Sequence, residues 1–476
     1  MGFVKGVHRD QTVMFPGSLD EYIAYDNPVR FIDAFVDGLD LEALGFKRAV
    51  PMERGRPPYH PGDLLKLYVY GYLNRIRTSR KLEREAQRNV EVMWLLGKLA
   101  PDFKTIADFR RDNGKPIREV FREFTVVCRR LELFGGQLVA IDGSKFKAAN
   151  SRQRNYTERK LKGLNQRVEE KIKRYLEELD EADQEEQDNE KPTVEELQEK
   201  IEWLRKRKEV YEDLQERMEQ TGESQVSLTD PDARSMKLGG NRGTEVAYNV
   251  QIGVDAKHKL IVGCEVSNEG NDKKQLSSMA IRAKEALDVQ SLDVVADRGY
   301  YSTQEIMNCV EEDIRPYVGK PNHSNSRGIF ALEEFRYDGE NDCYWCPAGK
   351  ALPFKYQTTY RGQAVRDYIA QDCGRCALSS RCTRRKTGRR IRRLLGAELL
   401  EDMERRVHAE PDKVKQRKSI VEHPFGTIKR SMDQGYFLTR GLASVRTEAT
   451  LTMLAYNNKR AINLIGVQGL IEALPS

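Results

Sequence analysis

Three features of the chain predict an α/β fold with a helical N-terminal part. Apolar positions recur at helical spacing up to about residue 130; short apolar runs begin at Gln137; helical patterns alternate with those runs from there on. In the helical part, Pro61–Ile76 opens with Pro, which suits a first helical turn, and is apolar on most of its circumference, so a buried helix is predicted. Arg80–Leu96 follows as a helix with Leu82, Ala86, Val90 and Trp94 on one face. Thr105-Ile-Ala-Asp108 has the form of an N-terminal capping box with Asp in place of Glu. Two short helices joined by a turn, with Arg110 and Arg111 exposed on the second, read equally as a helix-turn-helix DNA reader or as a supporting bundle.

The sheet part begins with Gln137–Gly143 as a strand. Val246–Asp255 and Leu260–Val266, separated by Ala256–Lys259, form a hairpin. Gln275–Leu287 reads as a helix, Leu292–Ala296 as a strand and Thr303–Val310 as a helix. Ile314–Gly319 reads as an edge strand that tolerates Pro316. Helices packed on the faces of a sheet follow from this order.

Two insertions interrupt it. Between Thr157 and Gln220, Leu161, Leu164, Val168, Ile172, Leu176 and Leu179 step by threes and fours, and Leu197, Ile201, Leu204, Tyr211, Leu214 and Met218 keep a similar spacing with one longer gap. Polar Asp180–Pro192 separates them, predicting an antiparallel helical hairpin. A packed spacer is the favoured role, ahead of dimer contact or DNA bracing. The second insertion, Asn322–Arg393, gathers five of the eight cysteines: Cys343, Cys346, Cys373, Cys376 and Cys382. Cys-x-x-Cys pairs in a cytosolic chain point to structural zinc ahead of a redox pair, and a tetrahedral site leaves one cysteine over. Cys128, Cys264 and Cys309 lie outside the cluster and read as buried.

The 476 residues allow two or three domains, and 39% hydrophobic with 32% charged residues suits a soluble chain. No run approaches the roughly 18 residues of a membrane span, and Met1–Asp10 lacks the apolar core of a signal peptide, so a cytoplasmic location is expected. A net charge of +6 matters less than its distribution: acid gathers at Glu177–Glu190 and base at Arg381–Arg393. The basic run, with Arg389 and Arg390 inside it, is read as a DNA backbone clamp in preference to a plain solvated loop.

Three acids carry the chemistry. Asp142 ends Gln137-Leu-Val-Ala-Ile-Asp-Gly143, Asp297 ends Leu292-Asp-Val-Val-Ala-Asp297 before Arg-Gly, and Glu422 lies in the basic helical stretch Arg417–Arg430. A sharp turn is expected after each Asp. Singly, each would be a turn or capping residue; together they make an oxygen-rich cage for hard divalent cations. Lys145, Lys147, Arg298 and Tyr300 beside the aspartates are placed to hold phosphates, as are Arg417, Lys418, Lys429 and Arg430 around Glu422. Helical counting sets Lys418 four before and Lys429 seven after Glu422, on one face. Pro424 should begin or kink a helix beside the carboxylate, and His423 reads either as a DNA contact or as a packing residue.

The motifs Ala-Ile-Asp-Gly-Ser-Lys-Phe-Lys-Ala, Ala-Asp-Arg-Gly-Tyr-Tyr and Val-Glu-His-Pro-Phe-Gly-x-Ile-Lys, in that order, resemble those of the Asp-Asp-Glu (DDE) transposases of bacterial insertion sequences, closest to the insertion sequence 1182 group. The resemblance runs from about His60 to about Ile465. It implies a ribonuclease H-like mixed sheet in which the first and fourth strands are neighbours, bringing Asp142 and Asp297 together. It implies two Mg2+ or Mn2+ ions on Asp142, Asp297 and Glu422, cleavage of double-stranded DNA at the element's end repeats, and strand transfer to target DNA. Self-association as a dimer on paired ends and a place on the bacterial nucleoid go with it. Its cysteine pattern selects Cys346, Cys373, Cys376 and Cys382 for zinc and leaves Cys343 spare. The implied organisation is a helical DNA-binding domain (1–132), a catalytic domain (133–321 and 394–476), an inserted hairpin (155–222) and an inserted cysteine-rich basic subdomain (322–393). The C-terminal Val445–Ile465 is an amphipathic closing helix. The competing readings are a purely hydrolytic nuclease of the same fold and a transposase-derived DNA-binding protein without catalysis.

Overall fold

The computed structural model describes residues 17–50, 57–150, 154–182, 193–238, 243–321, 328–371, 373–385 and 387–474. Met1–Asp10 and most of the polar, acidic stretch ending at Pro192 lie outside these residues. In chain order the first part holds α1 (Pro28–Asp37), α2 (Pro61–Leu73), α3 (Ser79–Arg88), α4 (Val90–Leu95), α5 (Phe103–Asp112) and α6 (Gly114–Arg130). Then come β1 (Leu138–Lys147), β2 (Asn155–Thr157), α7 (Glu158–Ala182), α8 (Val194–Thr221), β3 (Gln225–Ser227), β4 (Arg234–Lys237), β5 (Thr244–Asp255) and β6 (Ile261–Ser267). Next are α9 (Leu276–Leu287), β7 (Leu292–Ala296), α10 (Thr303–Glu311) and β8 (Ile314–Val318). Strands β9 (Arg336–Asp338), β10 (Cys343–Trp345), β11 (Ala351–Tyr360) and β12 (Gln363–Ile369), the short α11 (Ser379–Cys382) and β13 (Arg390–Leu394) follow. The last elements are α12 (Ala397–Ala409), α13 (Pro411–Gly426), a π-helical turn at Thr427–Ser431 and α14 (Leu442–Glu472). The fold is mixed α/β, and no helix among the described residues is long and apolar enough to cross a membrane.

Two compact units emerge: Met1–Gly135 with Asp142–Asn271 and Ile420–Ser476, and Gly136–Ile141 with Asp272–Ser419. Strand β1 and helix α13 each contribute residues to both.

The first unit is built around α14. The sequence suggests an amphipathic helix with one buried face; instead every residue from Thr447 to Asn458 is buried, with α1, α2, α6 and β6 packed about it. Most of the polar residues that disguise this are satisfied internally, Asn458 being the exception among the described residues. Thr447, Thr450 and Thr452 donate their hydroxyls to carbonyls four residues back, and Asn457 both donates to and accepts from the backbone of Ile261. Glu448 is fully buried and Arg77 is 5% exposed; they form an ion pair at 3.5 Å. Glu448 also accepts the backbone N–H groups of Leu438 and Thr439 and the Thr439 hydroxyl.

Local chemistry moves several expected boundaries. Arg80–Leu96 is two helices, because Asn89 is extended (φ −95°, ψ 119°) and its side chain caps Glu91 N–H. The cap of α5 is Asp102, which takes the N–H groups of Lys104 and Thr105 and the Thr105 hydroxyl, so Thr105 sits inside the first turn. Arg110 turns inward, its guanidinium 5.5 Å from the centre of the Tyr68 ring. Arg111 stays exposed between Asp108 and Asp112.

The α7–α8 hairpin forms as the spacing indicates. Leu161, Val168, Leu204, Tyr211, Leu214 and Met218 bury one another, and β2 pairs antiparallel with β3 at the base. Leu176 is exposed, so the inward apolar stripe thins along α7. Also in this unit, β4, β5 and β6 pair antiparallel and β5 neighbours β1.

In the second unit Leu138–Ala140 of β1 run parallel to Asp293–Val295 of β7, and β7 runs parallel to β8. Pro316 sits in β8 at the sheet edge, where a missing N–H is tolerated. A separate antiparallel sheet, β9 to β13, closes over Phe335, Tyr344, Leu352, Tyr368 and Ile391. Its last strand absorbs the basic run: Ile391 and Arg393 are buried, and Arg390–Arg393 is ladder rather than a solvated loop.

Glu448→Gln or Arg77→Met strands one buried charge, and each is expected to cost about 3–5 kcal/mol. Urea unfolding of the two single variants and the double variant measures this, and a cost within error of zero would rule out the pair as a stabilising contact.

Candidate active site

Asp142 lies within β1, half-buried, with its carboxylate accepting the Gly143 N–H at 2.9 Å. No sharp turn follows it, contrary to the expectation. The strand runs on to Lys147 because other backbone pairs with it: Lys147 donates to Gly435 O at 3.2 Å and accepts from Phe437 N at 2.8 Å.

Glu422 is exposed on α13, between buried Val421 and Pro424. The helix does not break at Pro424; it continues to Gly426 and then widens into the π-turn. A π-turn changes the angular step per residue, so α-helical counting does not carry through to Lys429. That side chain turns to β1, donating to Ser144 Oγ at 2.6 Å and Lys145 O at 2.8 Å and lying over the Phe146 ring. Phe146, buried, packs against Phe425 and Phe437 with ring centres 6.3 and 5.7 Å away. Within the first unit, the strand of Asp142 and the helix of Glu422 are thus joined four residues beyond one acid and three beyond the other.

His423 is exposed on α13, with one ring nitrogen engaged. Its Nδ1 is 2.8 Å from the Tyr456 hydroxyl, which donates to Lys259 O. Partial burial, then Arg460 and Lys259, hold its pKa below the ordinary imidazole value. Of the basic residues read as phosphate contacts in this unit, Arg430 and Lys147 are exposed and Lys145 is half-buried, while exposed Lys418 belongs to the second unit.

In the second unit β7 ends at Ala296, and Asp297 does make the expected sharp turn, capping a single 3-10 turn through Gly299 N–H at 2.7 Å. Arg298 is exposed. Tyr300 is fully buried, so its side chain is core and not a phosphate contact. The half-buried Arg417 lies further on in α13.

Sequence reasoning missed how α13 is held. Asp293, inside β7, binds Arg315 at 2.6 Å and Lys413 at 2.7 Å, and Lys413 also reaches Glu410 and the Tyr317 hydroxyl. Burial alone would lower the Lys413 pKa; Asp293, Glu410 and Tyr317 outweigh it and raise it. The signal was there: an acid in the otherwise apolar run Leu292–Ala296 needs a cation beside it.

Also in the second unit, Cys346, Cys373, Cys376 and Cys382 line one cavity of about 20 Å³, while Cys343 is buried in β10 outside it. Lys350 N–H points at Cys346 Sγ at 3.3 Å. Burial raises the Cys382 pKa; Arg389 opposes this and the three neighbouring thiols reinforce it. No disulfide links the described cysteines, and among the described residues no group of three or more His, Cys, Asp or Glu side chains is arranged as a metal site. Arg389 is committed to the Cys382 and Phe330 carbonyls, and Arg390 faces the buried Asp367 at 3.5 Å. These two are tied into the fold and do not form a free clamp.

Residues 17–112 match a family described as "Transposase domain (DUF772)", and residues 345–462 match "Transposase DDE domain". Both matched families are described as transposase domains, and each match spans about a quarter of the chain or less. No protein of curated function matches it. Among solved structures it is similar to a piggyBac transposase synaptic complex with hairpin DNA, at 11% identity over 92% of this chain and 75% of that one, with a TM-score of 0.32.

Lys429→Met removes two charge-assisted hydrogen bonds to β1 and is expected to cost about 1.5–3 kcal/mol, whereas exposed Lys418→Met should stay within about 0.5 kcal/mol. Thermal and urea unfolding compare them; equal effects would contradict the tie.

Proposed function

We propose that the chain holds two divalent ions, Mg2+ or Mn2+, on Asp142, Asp297 and Glu422, and cuts and joins double-stranded DNA at the ends of a mobile element. The observation that carries the reading is a register. Ala140 is paired with Val295; Asp142 comes two residues later within β1, and Asp297 two residues later as the first residue past the end of β7. The contacts of Phe425 with Phe146 and of Lys429 with Ser144, which tie the segment after Glu422 to β1, support the third ligand. The strand neighbours β6–β5–β1 in one unit and β1–β7–β8 in the other agree with a ribonuclease H-like sheet. An all-oxygen donor set suits hard cations.

Bound there, the ions supply Lewis acidity to the attacking and leaving oxygens of an in-line displacement. The chain's own part is to hold and orient. β1 and the turn after β7 fix the two aspartates, and α13, anchored through Lys413 to Asp293, presents Glu422. Lys145, Lys147, Arg298, Arg417, Lys418 and Arg430 supply cations to the DNA backbone. Water attack at an element end leaves a 3′-hydroxyl, which then attacks target DNA, and no covalent protein–DNA bond forms. The N-terminal helices read the end repeats, two copies pair the ends, and the protein works on the nucleoid in the bacterial cytoplasm. The insertion sequence 1182 group is the source this reading favours.

Structural zinc on Cys346, Cys373, Cys376 and Cys382 belongs to the same reading. The donor set is four thiols lining one cavity, and a backbone N–H directed at Cys346 Sγ is the sort of outer hydrogen bond that stabilises a metal-bound thiolate.

Asp142→Asn and Glu422→Gln are each expected to drop cleavage of end-repeat DNA below detection while leaving gel-shift affinity within about threefold. Cutting by Asp142→Asn would sink the assignment, and cutting without joining of paired ends would make the protein a nuclease. Protein purified without chelator should carry one zinc per chain by mass spectrometry, and Cys376→Ser should lose it together with several kcal/mol of stability, on the order of the metal's binding energy. A zinc-free, equally stable chain removes the site.

A further inference from the structure

Five arginines, Arg384, Arg385, Arg389, Arg390 and Arg392, line one pocket beside β13, and among the described residues its walls hold no carboxylate. Asp367, fully buried on β12, is shared by Arg390 at 3.5 Å and Arg392 at 3.2 Å. Arg389 is spent on carbonyls. Arg384 and Arg385 are exposed, with no ion pair among the described residues. Such an excess of guanidinium groups repels itself unless an anion joins it, and planar forked donors suit phosphate oxygens.

The neighbouring sheet face adds a second chemistry. Tyr356 is paired with Asp367 and Asp367 with Arg392, so the three form one row across β11, β12 and β13 on the same face. Tyr360, four residues on along β11, shares that face, and the Arg392 guanidinium lies 3.9 Å from its ring centre. Both tyrosines are 41% exposed, although large aromatics are usually covered. One residue, Arg392, therefore belongs to both the phosphate-type pocket and the aromatic face.

We infer that this pocket and face bind unpaired DNA, with a phosphodiester among the arginines and a base stacked on Tyr356 or Tyr360. A sheet face with exposed rings offers planes to base planes, which a duplex keeps stacked inside itself. A plain backbone clamp would need the arginines but not the rings. The inference rests on the DNA-processing reading only for the nature of the nucleic acid and does not involve the three acids.

The test uses the full chain without added divalent ions and two fluorescein-labelled probes, a 20-nucleotide single strand and its duplex, read by anisotropy. The Tyr356→Ala/Tyr360→Ala double variant should weaken single-strand binding about tenfold or more and change duplex binding by less than about twofold. The double Phe variant, which keeps the rings, should bind like the wild type. Arg384→Ala/Arg385→Ala should weaken both probes and flatten the salt dependence for the single strand by about 1.4 in slope. Unchanged single-strand affinity in the Ala variant, or equal loss on both probes with the Phe variant intact, overturns the inference, as does an arginine variant with wild-type affinity and slope. Should both tyrosine variants misfold, the arginine pair on its exposed surface decides alone. Asp142→Asn should bind the single strand normally, so a failed metal-site reading and a failed platform give different results.

Discussion

The buried pairing of Arg77 with Glu448 is the constraint on which the architecture of the first unit turns. Neither charge could be left inside α14's packing alone. Together they organise the segment between the π-turn and α14. Arg77 donates to Tyr436 O at 2.8 Å and lies over the Tyr436 ring, while Glu448 takes the N–H groups of Leu438 and Thr439. Phe437, held between these contacts, supplies the N–H that accompanies β1 as far as Lys147. An ion pair in the helical core thus determines how far the strand beyond Asp142 extends. Buried ion pairs gain little over apolar packing and are expensive to break, so this one contributes geometry more than net stability.

Much of the sheet region was legible because its signals are short-range and unambiguous. The run Leu292–Ala296 is a strand to the residue, and α9, α10 and β8 fall within a residue or so of their expected bounds, since each is bracketed by turn chemistry and has a clean apolar period. What failed depended on partners that a local window does not contain. Gly143 looked like a turn until backbone from residue 435 to 437 came to pair with β1. The threonines and Asn457 of α14 looked like a solvent face until their hydroxyls and amide were satisfied within the fold. The arginines of β13 were read as a DNA clamp because nothing nearby in sequence announced Asp367 or Glu401, with which Arg393 pairs.

The candidate site divides in the same way. Motif order marked Asp142, Asp297 and Glu422 as candidates, and the resemblance to the family's cysteine pattern set Cys343 apart from the four that line one cavity. Side-chain direction was not readable. Tyr300 follows a charged, exposed turn yet points into the core, and Lys429 was assigned outward by a helical count that a π-turn interrupts. The anchoring pair Asp293–Lys413, 120 residues apart, had only a lone acid in an apolar strand to announce it.

The α7–α8 hairpin is rooted through β2 and β3 and packs chiefly against itself. Matched insertions or deletions of whole heptads in its two arms would preserve the seam and leave the root untouched. Its reach is therefore a free parameter of the lineage, able to drift to new lengths while the strand immediately before it stays fixed.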